Sequence, residues 1–229
     1  MPRVLNLVEL ARFPIHEQLH LEEKLLRNCD GFYCLTNFGA PPAYVLPISA
    51  KKEEWLQEVT HPVIRRYTGG GGVVIDESTL FVTFIGPAEL LNSAPTPSSI
   101  HEFAEKHYAH YIPGFIRKEN DYCIDDRKIG GNAQYISKNR FVHHTSFLWD
   151  FDPKKMAKLK TPPRMPSYRN SRSHEDFVAT LKSHFPSPTH FFDQLKTALL
   201  SHYKCNSINL NSLQAIKNQL CRIATFIDN

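Results

Sequence analysis

The chain has 229 residues, of which 41% are hydrophobic and 22% are charged, and its formal net charge is +4. This composition fits one globular domain with a core of its own and excludes a largely disordered chain. The positive excess is too small to indicate nucleic-acid binding, and no apolar stretch approaches the ~20 residues of a membrane span.

The first predicted elements are short and mixed in type. A helix is predicted over 15–27, where apolar side chains share one face. Strands over 31–36 and 43–48 and a charged helix over 50–58 follow. Val73–Ile75 and Leu80–Ile85 are then predicted to pair as the two strands of a hairpin.

The second half is predicted to continue with one long helix and a series of strands. A loop rich in Pro and Ser over 87–98 leads into a helix over 99–111. Further strands are predicted at 115–117, 122–124, 128–129, 134–136 and 141–149. The tail, 189–229, is predicted to be helical, with one apolar stripe from Phe191 to Leu200 and a weaker one through Leu213, Ile216, Leu220, Ile223 and Ile227. Strands in the middle and helices around them predict the α+β class.

The five cysteines show no spacing typical of a metal or redox pair, because no two are separated by only two residues. The first fifteen residues contain Pro2, Glu9 and Pro14 and therefore lack the apolar core of a signal peptide. We expect reduced thiols, no resident metal and a cytoplasmic location.

Four consecutive glycines, Gly69 to Gly72, form the most informative stretch of the chain. Residues without Cβ let the backbone approach a ligand closely and turn its N–H groups toward it. The preceding Arg65 and Arg66 carry guanidinium groups that match phosphate or carboxylate, and Thr68 adds a hydroxyl. The pattern indicates an anion cradle, and a flexible turn between two strands is the alternative.

A basic segment covers 153–173, with seven Lys or Arg side chains and no acidic one. It also contains Pro162, Pro163 and Pro166, which discourage regular structure. Long irregular segments inside a compact domain are often lids. We expect a mobile lid over an anionic ligand, with an inert solvated loop as the alternative.

Three more motifs follow the glycines in the sequence. They are the Asn120-Asp121 pair, the loop Arg127-Lys128-Ile129-Gly130-Gly131-Asn132-Ala133, and the pair His143-His144 at the start of an apolar run. With the Arg-Arg-Tyr-Thr-Gly-Gly-Gly cradle, this ordered set resembles the lipoate–protein ligase family, within the superfamily that also contains octanoyltransferases and biotin–protein ligases. The resemblance covers most of residues 15–185.

The resemblance implies an α+β fold whose mainly antiparallel sheet, flanked by helices, carries the ligand. It implies a catalytic domain over 1–185 and, over 186–229, a short helical extension without the family's full accessory domain. The expected substrates are lipoate (or octanoate) and ATP with Mg²⁺, which together form an acyl-adenylate. The expected acceptor is a lysine of an apo lipoyl domain from a 2-oxoacid dehydrogenase or of the glycine cleavage H protein. A separate accessory subunit is a possible further partner; no nucleic-acid or membrane partner is expected.

The resemblance also implies roles for individual residues. Lys128 would bridge carboxylate and phosphate and stabilise the charge that develops on them. Asp121 would orient Lys128 or assist proton loss from the acceptor amine. The expected substrate- and nucleotide-binding residues are Arg66, Thr68, Gly69, Gly70, Gly71, Asn120, Gly131, Ala133 and His144. Because neighbouring residues of a strand point to opposite faces, at most one of His143 and His144 should reach the ligand.

Two departures from the family pattern leave alternatives open. Ile75 stands where the ligases usually have a histidine, so the chain could instead use another acyl donor or bind a lipoyl group or nucleotide without catalysis. The octanoyltransferase branch uses a cysteine nucleophile after the lysine loop. No cysteine lies between Cys123 and Cys205, and we therefore expect no thioester.

Overall fold

The computed structural model describes residues 4–161, 165–218 and 221–228. In chain order the strands are β1 (Val4–Ala11), β2 (Phe32–Phe38), β3 (Ala43–Pro47), β4 (Val63–Arg66), β5 (Val73–Ile75), β6 (Thr79–Pro87), β7 (Phe115–Lys118), β8 (Asp121–Ile124), β9 (Arg127–Ser137), β10 (Arg140–Leu148), β11 (Lys204–Ser207) and β12 (Phe226–Asp228). The helices are α1 (Ile15–Asn28), α2 (Lys52–Trp55), α3 (Pro97–Tyr108), α4 (Pro153–Met156), α5 (His174–Phe177), α6 (Pro188–Leu200) and α7 (Gln214–Lys217). No helix in these ranges is both long and apolar enough to cross a membrane.

The described strands form two sheets. The large sheet has the order β11-β1-β2-β6-β10-β9-β8-β7, and the small sheet has the order β12-β4-β3-β5. In the large sheet β1 runs parallel to β2 and β11, and the other neighbours are antiparallel. In the small sheet β3 and β4 are parallel. The α+β class and the mainly antiparallel sheet are confirmed.

Helix α1 packs across both sheets, and its prediction over 15–27 is confirmed to within one residue. Leu21 and Leu25 join a cluster with residues of the large sheet, and Ile15 and Leu19 pack against the small sheet and β6. Complete burial of such side chains stabilises the fold by roughly 1.5–3 kcal/mol each. The apolar spacing of α1 therefore fixes how the two sheets meet.

Helix α3 covers the opposite face of the large sheet. It begins with a capping box, in which Thr96 and Ser99 each accept a hydrogen bond from the other's backbone N–H, and Pro97 occupies the first turn. Ile100, Phe103, Ala104 and Tyr108 are buried on its inner side. The predicted helix over 99–111 is confirmed, although it starts and ends earlier.

Two local predictions are wrong. β5 and β6 do not form a hairpin, because β5 pairs with β3 and β6 pairs with β2 and β10. Asp76 forms the intervening turn by accepting hydrogen bonds from Ser78 and Thr79, and the chain changes sheet there. The predicted helix over 50–58 is a single turn, α2.

The tail differs most from its prediction. The stripe beginning at Phe191 forms α6 as predicted, but the second stripe yields only the four-residue α7 and then a strand; its Leu220 lies outside the described residues. β11 pairs with β1 and β12 pairs with β4. The purely helical description of 186–229 is wrong because backbone pairing over long sequence distances determines this region.

Candidate active site

A cavity of about 340 Å³ lies where the glycine run meets the lysine loop. We call it the outer cavity. The sequence motifs contribute Gly71, Gly72, Asn120, Asp121, Lys128 and Gly131 to its wall, and the segment after β10 contributes Lys160, Arg169 and His174. Two motifs that are separated by about fifty residues in the sequence are thus brought to one site, as expected.

A second, much smaller space of about 20 Å³ adjoins the first, and we call it the inner chamber. Both spaces are lined by Gly71, Val73, Gly131 and Ser146. The inner chamber is otherwise largely apolar, with walls from Ile15, Leu19, Val45, Ile75 and Phe81. Its polar lining comes mainly from Arg66, Asn132 and His144.

Lys128 and Asp121 form an ion pair on the wall of the outer cavity, with Nζ 2.7 Å from Oδ1. A bulge between β8 and β9 pairs Cys123 with Lys128 and Tyr122 with Gly130, which leaves Ile129 as an extra residue. Strand alternation puts Asp121 on the same face as Cys123, and the bulge brings the lysine to that face. The predicted orienting contact between Asp121 and Lys128 is present.

Arg66 lies behind the glycine loop rather than in the outer cavity. Its guanidinium donates hydrogen bonds to the carbonyl oxygens of Val45, Gly69 and Gly71 at 3.2, 3.2 and 2.7 Å. Burial lowers the pKa of Arg66 to about 10. A buried guanidinium that holds two carbonyls of one loop fixes the loop's shape, and it contributes positive charge at the inner chamber.

The glycines of the cradle have different roles. Gly70 has φ +117°, and a Cβ there would lie 2.6 Å from the carbonyl oxygen of Asn132, so only glycine fits. Gly69 donates its N–H to the carbonyl of Gln134. Gly71 faces open space, with no atom within 4 Å of a Cβ built on it. Thr68 is buried and lines neither space.

The Asn120-Asp121 pair and the lysine loop together supply three further residues that were predicted to bind substrate. Asn120 lines the outer cavity, and its carbonyl accepts a hydrogen bond from the side chain of Asn132 at 2.9 Å. Gly131 lines both spaces, and a Cβ there would come within 3.2 Å of Val73. Ala133 lines the inner chamber.

The two adjacent histidines point to opposite faces of the large sheet. His144 lines the inner chamber, where its Nδ1 lies 3.0 Å from Glu22 and 2.9 Å from the Thr83 hydroxyl. His143 is bonded to the Tyr122 hydroxyl at 2.9 Å within the core, and burial holds its pKa well below the usual range. His144 alone of the pair reaches the candidate site.

Sequence reasoning missed three side chains at the site. Glu22 is fully buried beside His144. The sequence does contain a signal for this residue, because a charged side chain among the leucines of the buried face of α1 indicates a polar partner in the interior. Tyr168 donates a hydrogen bond to Asp121 at 2.9 Å. Arg169 lines the outer cavity and stacks on Phe177 at 4.9 Å.

The described part of the basic segment is docked on the protein. Lys155 pairs with Asp76 at 2.8 Å, and Arg172 pairs with Asp126 at 3.0 Å. Leu159 forms a β-bridge with Leu56. The residues Pro162, Pro163 and Arg164 lie outside the described part of the chain. These contacts show the described part of the segment packed against the protein, and its role as a mobile lid stays a prediction.

The chain is similar to known proteins in both sequence and fold. The lipoyl protein ligase A/B catalytic domain family matches residues 14–204. A curated relative, "Inactive lipoate--protein ligase 2" of Plasmodium falciparum, is 27% identical over 88% of this chain and 69% of its own length. Other curated lipoate ligases are longer, and the chain spans between 29% and 47% of their length.

Solved structures share the fold. The bi-partite lipoate protein ligase of Thermoplasma acidophilum, studied with its E2 lipoyl domain, has a TM-score of 0.73 at 18% identity and covers 95% of this chain and 91% of its own. A lipoate-protein ligase A bound with ATP has a TM-score of 0.70 at 18% identity and covers 95% and 93%.

Proposed function

The chain belongs to the lipoyl protein ligase A/B catalytic domain family, and we propose that it attaches a lipoyl or octanoyl group to a lysine of a lipoyl domain through an acyl-adenylate. The main support for the proposal is the Lys128–Asp121 ion pair, which lines the same cavity of about 340 Å³ as the glycine loop. The lining of this cavity includes residues of the glycine and lysine motifs through which the chain resembles the family.

The outer cavity is suited to the adenylate end of such a ligand. Lys128 supplies a compact ammonium, and Lys160 and Arg169 add further positive charge to the lining. Gly71 leaves open space that a larger residue would fill. Mg²⁺ would enter with ATP, because this ion is commonly bound through substrate phosphates and one or two carboxylates.

The inner chamber is suited to the acyl chain. Its walls are apolar, and it adjoins the outer cavity at Gly71 and Gly131. Its present volume of about 20 Å³ is enough for one water molecule, which needs ~10–15 Å³ of such space, but is far too small for an acyl chain of several carbons. An acyl chain would therefore have to displace side chains such as Leu19 and Phe81 to enter.

The transfer step requires orientation and electrostatic stabilisation rather than an enzyme nucleophile. The acceptor lysine nitrogen attacks the acyl carbon of the mixed anhydride, the bond from that carbon to the phosphate oxygen breaks, and AMP leaves. Lys128 would stabilise the negative charge on the departing phosphate. Asp121 would hold Lys128 in place and accept the proton that the amine loses.

The proposed acceptor is a lipoyl domain, which is the partner of the structurally similar bi-partite ligase from Thermoplasma acidophilum. That ligase is divided between two parts, and a separate accessory chain is accordingly proposed as a further partner here. The accessory chain would serve formation of the adenylate.

Binding without catalysis is a second candidate function, which the apolar Ile75 in the inner chamber favours. The family's usual histidine is absent at that position, and one relative is named inactive. In this case the protein would bind a lipoyl group or a nucleotide but would not catalyse acyl transfer.

The test weighs an apo lipoyl domain by intact mass spectrometry after incubation with the protein. One reaction contains lipoate, ATP and Mg²⁺, and the other contains preformed lipoyl-adenylate. Mass gain in both supports a complete ligase, and gain with the adenylate alone supports transfer with adenylation elsewhere. No gain above the enzyme-free control in either reaction would reject catalysis and favour the binding candidate.

A further inference from the structure

Tyr168 connects the basic segment to the Lys128–Asp121 pair. Its hydroxyl donates to Asp121 Oδ2 at 2.9 Å, while Asp121 Oδ1 lies 2.7 Å from Lys128 Nζ. The Cys123 thiol donates to the same phenol oxygen at 3.4 Å. Because the phenol oxygen accepts from the thiol, its own proton is directed to the carboxylate. Each carboxylate oxygen of Asp121 therefore has its own defined partner.

Hydrogen bonds hold the turn that contains Tyr168 at its start and at its end. Ser167 donates its backbone N–H to the Glu119 carboxylate at 2.7 Å, and Arg172 donates to the Tyr168 carbonyl at 2.9 Å. Between them Asn170 and Ser171 have φ values of +50° and +57°. Two consecutive left-handed residues that are not glycine cost free energy, and such strain persists only where surrounding contacts hold it.

The Tyr168 ring is held independently of its hydroxyl. It packs against the Phe177 ring with centroids 5.2 Å apart, and Lys118 Nζ lies 5.6 Å from the ring centroid. A Tyr168→Phe substitution would keep both ring contacts and remove only the hydrogen bonds of the hydroxyl, the short one to Asp121 and the long one from the Cys123 thiol. The structure thus separates the packing role of this side chain from its polar role.

We propose that Tyr168 is a positioning residue, whose hydroxyl fixes the Asp121 carboxylate and through it the ammonium of Lys128. The catalytic part of this inference rests on the proposed function. Carboxylate torsions are broad and roughly two-fold, and a lysine side chain is flexible. Without the hydroxyl, Asp121 turns more freely and Lys128 samples positions that do not face the ligand.

The test compares Tyr168→Phe with wild type by two measurements. The first is the rate at which trace acetic anhydride acetylates Lys128, read by mass spectrometry against exposed Lys204 as an internal reference. The substitution is expected to raise the Lys128 ratio roughly 2- to 10-fold, the range for loss of one hydrogen bond. The second is single-turnover transfer from lipoyl-adenylate, where the rate is expected to fall roughly 5- to 20-fold with little change in the half-saturating donor concentration.

Tyr111→Phe is the matched control. Its hydroxyl is buried and has no hydrogen-bond partner within the described residues, and its ring packs on Phe185 and Phe191 away from the cavity. This variant should leave both measurements unchanged. An unchanged acetylation ratio in Tyr168→Phe would overturn the positioning role. A raised ratio in a protein that transfers no acyl group would support the positioning role while the proposed function fails.

Discussion

The outer cavity and the inner chamber share a wall but are built differently. The outer cavity, about 340 Å³, is shaped by backbone turns and by ion pairs such as Lys128–Asp121. The inner chamber, about 20 Å³, is shaped mainly by packed apolar side chains. If the proposed function is right, the charged groups that would bind the nucleotide end of the ligand are already in place. The acyl chain, in contrast, would bind only after the apolar side chains of the inner chamber move.

Removal of the Lys128 ammonium should produce the largest effect in the outer cavity. We expect Lys128→Ala to reduce transfer from lipoyl-adenylate by roughly 10²–10³, the usual loss for one such contact. Thermal stability should change little, because the side chain is partly exposed. The measurement is single-turnover mass spectrometry of the acceptor, alongside a thermal melt.

Lys128→Arg should not restore full activity, because a planar guanidinium does not replace a compact ammonium between two anions. If Lys128→Ala transfers the acyl group at a rate within a few-fold of wild type, Lys128 has no catalytic role. The outer cavity would then no longer differ from the inner chamber in holding preformed electrostatic groups.

The buried histidines on the opposite face of the large sheet should make the fold sensitive to acid, independently of both spaces. Burial, together with Arg117, lowers the pKa of His101 to about 4, and burial beside Lys106 lowers that of His107 to about 3. The pKa of His143 is lowered as well, chiefly by burial. These rings are neutral in the folded state and take up protons on unfolding below the unfolded pKa near 6.5.

Stability should therefore be complete well above pH 6.5 and should fall as the pH decreases through 6.5 toward the folded pKa values. For three histidines the loss between pH 6.5 and 5.5 is about 3 kcal/mol. Urea unfolding across this range measures it, with the exposed His110→Gln as a control that keeps the same slope. A pH-independent free energy of unfolding over this range would contradict the assignment of neutral buried rings.

A substitution of Arg66 tests whether transfer depends on the hydrogen bonds that its guanidinium donates to the glycine loop. This loop contributes to the lining of both spaces. A lysine carries one ammonium and does not reproduce the bonds to Val45, Gly69 and Gly71 together. Arg66→Lys should reduce transfer about tenfold, the effect of roughly one lost hydrogen bond.

Arg65→Lys is the neighbouring control. Arg65 pairs with Asp228 at 2.7 Å on the other side of β4, and a lysine there keeps that charge pair. Its transfer rate should stay within twofold of wild type. If both variants lose transfer activity equally, the rate depends on the integrity of β4 and not on the hydrogen bonds of Arg66 to the glycine loop.

The smallest effect is expected at Cys123, which is fully buried behind the outer cavity. Burial raises the pKa of its thiol, which opposes formation of the thiolate that a nucleophile needs. Cys123→Ala should retain transfer within a few-fold, and intact-mass measurement should find no acyl group on the enzyme. An acyl adduct trapped on this cysteine would show that the mechanism passes through a thioester intermediate.

The outer cavity was more predictable from the sequence than the inner chamber. Gly70 has a conformation that only glycine tolerates, and the Asp121–Lys128 contact lies within one hairpin. Both features could therefore be predicted from residues that are close together in the sequence. Glu22 and Tyr168 were missed, because each reaches the site through tertiary contacts with residues far away in the sequence. The predicted β5–β6 hairpin failed for the same reason: a turn at Asp76 is visible locally, but the partner strands are not.

The proposed site can be tested with a structure of the protein bound to a non-hydrolysable lipoyl-adenylate analogue. We expect the nucleotide to lie in the outer cavity within hydrogen-bond distance of Lys128, with the acyl chain in an inner chamber widened by movement of its apolar walls. Asp121 and Tyr168 should remain hydrogen-bonded. An analogue bound away from Lys128, or an acyl chain that lies outside an unchanged inner chamber, would show that the site is assigned wrongly.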